Sequence, residues 1–240
     1  MTDDFFHGVS RAIQHLHQGK DRSRPATGEL DAPLALLRAW QSARLRSTYT
    51  DMLETPRYRM ACEFFLNDVY APRDFTARDH DIEQLYLLAE RFIPSQFLAL
   101  FKALFDLNQM THQLDHALLQ ALIEKLGLTD TLTPQMYAQA YRLCDNYEER
   151  KYQIELLAAV VNDVGVGVRE PLVGPTLRLA KIPASLGGWN EIYEFSIRGY
   201  EAFRSMRHPG VFSQAIQTRE MKILDNIFAG AADPFKVNFK

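Results

Sequence analysis

Residues 146–168 read NYEERKYQIELLAAVVNDVGVGV, and the spacing of their apolar side chains decides the fold. Ile154, Leu157, Val161, Val164 and Val168 recur at intervals of three and four. That spacing gathers them on one face of an α-helix and sends the intervening charges to other faces. Gly165 and Gly167 lie inside this stripe; they do not complete GxGxxG and no strand precedes them, so close helix packing explains them better than phosphate binding.

Working outward, the same period returns along most of the chain, and its starts are marked by Ser, Thr or Asp with proline in the first helical turn. Asp31 with Pro33 opens a predicted helix to about Glu54, Thr55 with Pro56 one to about Tyr70, and Thr133 with Pro134 one to about Cys144. Thr76 caps a further helix to about Phe92. Pro94 and Ser95 then precede a long apolar segment, Gln96 to Leu126, with a break expected near Asn108 to Thr111. Pro171, Pro175 and Pro183 confine a short helix to Leu172–Lys181. The last two helices are Trp189–Met206 and Pro209–Phe228, with Gly230 as the closing cap. The expected fold is an all-α, single-domain irregular helical bundle of about eight or nine helices, with no strand.

The predicted organisation is an N-terminal helix over 1–18 able to detach, a polar linker over 19–29, the helical domain over 30–230 and a C-terminal tail over 231–240. The linker, GKDRSRPATG, lacks apolar periodicity.

With 240 residues, 47% hydrophobic and 24% charged, the chain has the composition of a globular domain with one core. A net charge of −3 gives no general attraction to phosphate backbones, so nucleic acid is disfavoured as a partner. The two cysteines, Cys62 and Cys144, cannot make a four-ligand zinc site and suit a reducing compartment. No signal-peptide core and no membrane-length apolar run is read, which predicts a soluble cytoplasmic protein.

Three groups of residues are candidates for a site. The first lies in PRYRMACEFFLNDVYAPRDFTARDHD, residues 56–81, where acids and arginines interleave with aromatics. Helical spacing places Arg59, Glu63, Asn67 and Tyr70 on one face with Asp68 beside it, and Arg78 and Asp79 follow at the next helix start. A structural ion-pair network joining two helices is the commoner use of such a cluster. The second is His112 and His116, with Asp115 between them; two imidazoles four apart can share a metal, but there is no HExxH and no pair of ExxH motifs. The third is on the helix from Asp31, where Gln41 and Thr48 interrupt the stripe of Leu34, Leu37, Leu45 and Met52. With Arg44 they line a small-ligand pocket or hydrogen-bond across the core.

The stretches TYTDML (48–53), RYRMACEFFLNDVYAPRDF (57–75), ARDHDIEQ (77–84), IYEFSIRGYEAFRSM (192–206) and TRE (218–220) resemble an uncharacterised bacterial all-helical family. FFLNDVY followed by RD is the most distinctive part. The resemblance spans roughly Leu34 to Phe228 and implies a helical fold and a bacterial cytoplasmic setting, with no catalytic residue attached.

No GxSxG elbow, P-loop or complete metal motif occurs. By elimination the expected function is an intracellular interaction or regulatory module without chemistry of its own, with another protein or a second copy as partner and no cofactor. One alternative is a metal-dependent or ligand-processing enzyme using Glu63, Asp68, His112 or His116 inside the bundle. The other is a binder of a small apolar molecule, which requires a cavity near Gln41 and Thr48.

Overall fold

Proline stands in the first turn of four helices, where its missing N–H belongs to the donors that no helix can satisfy internally. The computed structural model describes residues 31–71, 95–186 and 188–237, and among them all regular structure is helical. The order is α1 (Ala32–Thr48), α2 (Thr50–Glu54), α3 (Pro56–Phe64) running into a wide π-turn (Phe65–Val69), and α4 (Ser95–Gln120) running into a second (Ala121–Lys125). Then come α5 (Pro134–Cys144), α6 (Tyr147–Gly167), α7 (Val173–Leu179), α8 (Lys181–Leu186), α9 (Asn190–Ser205) and α10 (Pro209–Phe228). The N-terminal helix and linker expected over 1–29, and the helix expected from Thr76 to Phe92, lie outside the described residues.

Several boundaries depart from the sequence reading. The helix expected from Asp31 to Glu54 breaks at Tyr49, which leaves helical geometry at φ −114° and ψ 21°. Two groups of α10 account for the break: Arg219 Nη1 donates to the Thr48 carbonyl at 2.9 Å, and the Tyr49 hydroxyl donates to Glu220 at 3.0 Å. The interruption expected at Asn108–Thr111 is absent, because α4 runs straight through it. Of the three starts read as capped, Thr133 is capped by its own side chain, accepting from the Met136 N–H at 3.1 Å. Asp31 and Thr55 make no such bond; the Thr55 hydroxyl donates backwards to the Asp51 carbonyl at 2.8 Å. The helix expected over Leu172–Lys181 is α7, and a further short helix, α8, begins at Lys181 and runs through Pro183, where the sequence reading placed a boundary. Gly230 does close α10, at φ 72°.

α10 packs against α6, α9 against α3, and α4 against α6. Gly165 permits the first of these contacts, since a Cβ there would overlap the Pro209 ring at the start of α10. Two larger apolar cores, and a smaller cluster of Ala138, Ile223 and Ile227, result among the described residues. One joins α2, α3, α6, α9 and α10 around Phe64, Phe203, Met206 and Phe212. The other joins α1, α4 and α5 around Leu37, Leu118, Leu122 and Tyr137. Phe235, from the stretch read as a tail, packs against Trp40 and Tyr137 in this second core, at ring distances of 5.2 and 5.8 Å. Among the described residues no helix is long and apolar enough to cross a membrane.

Candidate functional site

Where the two cores meet, four helices each place a polar or charged residue in register with their buried stripe. On α1, Gln41 and Arg44 follow Leu37; on α4, Asp115 stands between Thr111 and Leu118; on α6, Arg150 precedes Ile154 and Leu157. On α10, Glu220 falls between Ile216 and Ile223. These side chains surround a cavity of about 110 Å³, and every residue lining it is buried or half-buried. Its remaining wall is largely aliphatic and aromatic, including Leu157, Phe65 and Phe212.

The charges inside are paired. Arg44 Nη1 reaches both Glu220 carboxylate oxygens at 2.7 Å, and the Tyr49 hydroxyl donates to the same carboxylate. Burial opposes the charge on Arg44, but Glu220 more than compensates and holds the guanidinium protonated. Arg150 donates to the Leu114 carbonyl at 2.8 Å and to Gln153 at 3.1 Å, with Asp115 more loosely held at 3.4 Å. Its guanidinium lies 4.6 Å over the Tyr141 ring. Gln41 bridges Asp115 and Tyr137 at 3.4 and 3.5 Å, and the Tyr137 hydroxyl donates to that of Tyr141 at 3.2 Å. Burial pushes the phenols of Tyr49, Tyr70 and Tyr137 upward, so they stay neutral donors through the physiological range.

Two donors stand out. Arg44 Nε and Arg150 Nε are buried without a hydrogen-bond partner among the described residues. Leaving a buried donor unpaired costs about 1–3 kcal/mol, more for a charged group.

The FFLNDVY stretch divides over three environments. Arg59, Glu63 and Asn67 lie on an exposed face, with Arg59 Nε donating to the Leu53 carbonyl. Asp68 is buried and pairs with Arg198 of α9 at 2.8 Å, a structural tie between two helices. Tyr70 leaves the Glu63 and Asn67 face and lines the cavity, because the π-turn, closed by the Tyr70 N–H donating to the Phe65 carbonyl at 2.8 Å, shifts the helical register. The single polar face expected from a spacing of four therefore does not form. Arg78 and Asp79 lie outside the described residues.

Of the pocket residues read from sequence, Gln41 and Arg44 line the cavity. Thr48 does not: its hydroxyl donates back to the Arg44 carbonyl at 3.0 Å. His112 and His116 are exposed on α4, and it is Asp115 between them that turns inward. Among the described residues no three His, Cys, Asp or Glu side chains gather as a metal site, and Glu63 and Asp68 do not join the histidines in one. The sequence reading does not name Arg150, Glu220, Tyr137 and Tyr141, which line the cavity, although Arg150 stands four residues from the half-buried Ile154 and Glu220 four from the buried Ile216. The two cysteines are free thiols, and burial pushes that of Cys62 up to about 12.

No curated protein and no solved structure matches the chain. A family model described as a domain of unknown function, DUF8198, matches residues 20–234, so the chain belongs to that family.

Proposed function

We propose that this domain binds a small molecule in the cavity between α1, α4, α6 and α10, and acts as a ligand-dependent regulatory or interaction module without chemistry of its own. The observation that carries this reading is the pair of buried guanidinium Nε donors left unpaired at a cavity whose other charges are matched. Hydrophobic residues of similar volume are often at least as stabilising as a buried ion pair. Polar groups retained there against the local rules of packing are the mark of a binding site.

The test is ligand-observed NMR with a library of small fragments on the full chain and on Leu157→Phe, which extends a side chain of the wall. Binding to the parent and its loss in the variant is the expected result. A library with no binder, or one whose binders are indifferent to Leu157→Phe, refutes the reading.

A second reading, self-association or docking on another protein, draws on exposed Leu172, Leu179 and Ile182 around α7 and α8, which are 77%, 54% and 71% accessible. Light scattering of the parent against Ile182→Glu checks it: a dimer mass lost in the variant supports the reading, and a monomer in both opposes self-association. Free thiols at Cys62 and Cys144, together with the FFLNDVY resemblance, support a bacterial cytoplasmic location. The net charge of −3 argues against nucleic acid as partner. A metal or cofactor has no role in this reading.

A further inference from the structure

Matching donors against acceptors around the cavity narrows the chemistry of what it holds. Glu220 takes Arg44 and Tyr49, Asp115 Oδ1 takes Gln41 and Arg150, and the Gln153 amide oxygen takes Arg150. The Thr111 hydroxyl already receives the Gln153 amide at 2.9 Å and donates to the Leu107 carbonyl at 2.8 Å. Two buried donors are left over. Arg44 Nε and Arg150 Nε have no partner among the described residues, and the Arg150 side chain is only 5% exposed. Two hydroxyls sharing one hydrogen bond, as Tyr137 and Tyr141 do, also leave one phenolic proton over, whichever way they are oriented.

The formal charges, by contrast, balance. Arg44 and Arg150 face Glu220 and Asp115, with no further ionised side chain in the lining. An anionic ligand would bring an uncompensated charge into the interior, where burying one is expensive. A purely apolar ligand would leave both guanidinium donors unmet. A cavity of about 110 Å³ compares with the roughly 150 Å³ that accommodates benzene in an apolar interior.

Building on the ligand-binding reading above, we propose that the cavity selects a small uncharged molecule bearing a hydrogen-bond acceptor, a carbonyl compound of about five or six non-hydrogen atoms, whose oxygen takes a proton of Arg44 or Arg150 while its apolar body lies against Leu157 and Phe212.

The experiment uses the full chain in sealed cells, with methyl-resolved NMR titration and thermal denaturation against cyclopentanone, cyclopentane and butanoate, on the parent and on Leu157→Phe. The expected result is saturable binding of cyclopentanone with shifts at the Ile154 and Leu157 methyls, at least tenfold weaker binding of cyclopentane and of butanoate, and loss of ketone binding in Leu157→Phe. Cyclopentane binding as tightly as the ketone overturns the acceptor requirement while leaving the cavity a ligand site. Butanoate binding more tightly overturns the requirement for an uncharged ligand. Ketone binding that survives Leu157→Phe places the ligand elsewhere, and failure of all three to bind overturns this inference.

Discussion

The phenylalanine core against α9 and the polar cavity share α6 and α10, yet they follow opposite rules. In the first, Phe64 lies 5.1 Å from Phe195 and 6.2 Å from Phe203, and Phe65 lies 6.1 Å from Phe212. Gly199 keeps α9 close enough that an added Cβ would stand 3.0 Å from the Phe64 ring. The rings meet one another without a polar group between them, and close packing does most of the holding beside the Asp68–Arg198 pair. About one turn beyond Ile216 on α10, Glu220 enters an interior of matched charges and unmatched donors. The difference teaches that two parts of one bundle are held in different ways. The polar region's stability depends on partners, and the apolar region's depends on volume.

That contrast can be broken from both sides. The largest effect is expected from Phe203→Ala, about 3–5 kcal/mol by urea unfolding, with no second substitution that restores it. Glu220→Leu should cost a similar amount, about 3–5 kcal/mol, because it leaves the Arg44 charge buried and unpaired. Here a second change rescues: adding Arg44→Met is expected to recover most of the loss. If the double variant is as unstable as Glu220→Leu alone, the charge pair is not what the cavity wall depends on. Gly165→Ala sharpens the comparison at a purely steric site, with about 1–3 kcal/mol expected as the new methyl meets Pro209.

Smaller effects concern the ties at the rim. Arg219 donates to both Asp51 oxygens at 2.6 and 2.7 Å, and this hydrogen bonding, foremost among the causes, lowers the Asp51 carboxyl below its ordinary 3.8. A folded-state pKa below the unfolded one contributes stability above the unfolded value, and the contribution is lost as pH falls through the folded one. Asp51 is 64% exposed, so solvent screening limits Asp51→Asn to less than about 1 kcal/mol at pH 7. The difference from the parent should vanish in urea titrations taken well below pH 3.8. Smallest of all, His112→Ala and His116→Ala should each change stability by less than about 0.5 kcal/mol, since both side chains are exposed.

The fold was readable because its signals are local. Proline in the first turn marked four helix starts, and the stripe from Ile154 to Val168 marked α6. What escaped was decided by tertiary contacts. Tyr49 breaks the first helix because Arg219 and Glu220, some 170 positions away, take its neighbouring carbonyl and its hydroxyl. Tyr70 leaves its expected face because of a π-turn that a period of 3.6 does not anticipate.

Part of the cavity lining is legible in the sequence. Gln41 and Arg44 were visible as polar residues on an apolar stripe, and the same test extended to Arg150, Asp115 and Glu220 finds their side of the cavity. Arg59, Glu63 and Asn67, like His112 and His116, stand on exposed faces. Polarity in register with a buried stripe is the better signal, because burial must then be compensated by a partner.

The central claim, an interior cavity that binds through unpaired guanidinium donors, is tested most directly by a crystal structure of the protein grown with cyclopentanone. The account predicts the ketone inside the cavity, with its oxygen about 2.7–3.2 Å from Arg44 Nε or Arg150 Nε. A cavity closed by repacked side chains, or one where both Nε atoms bind protein carbonyls and no ketone is present, would contradict it.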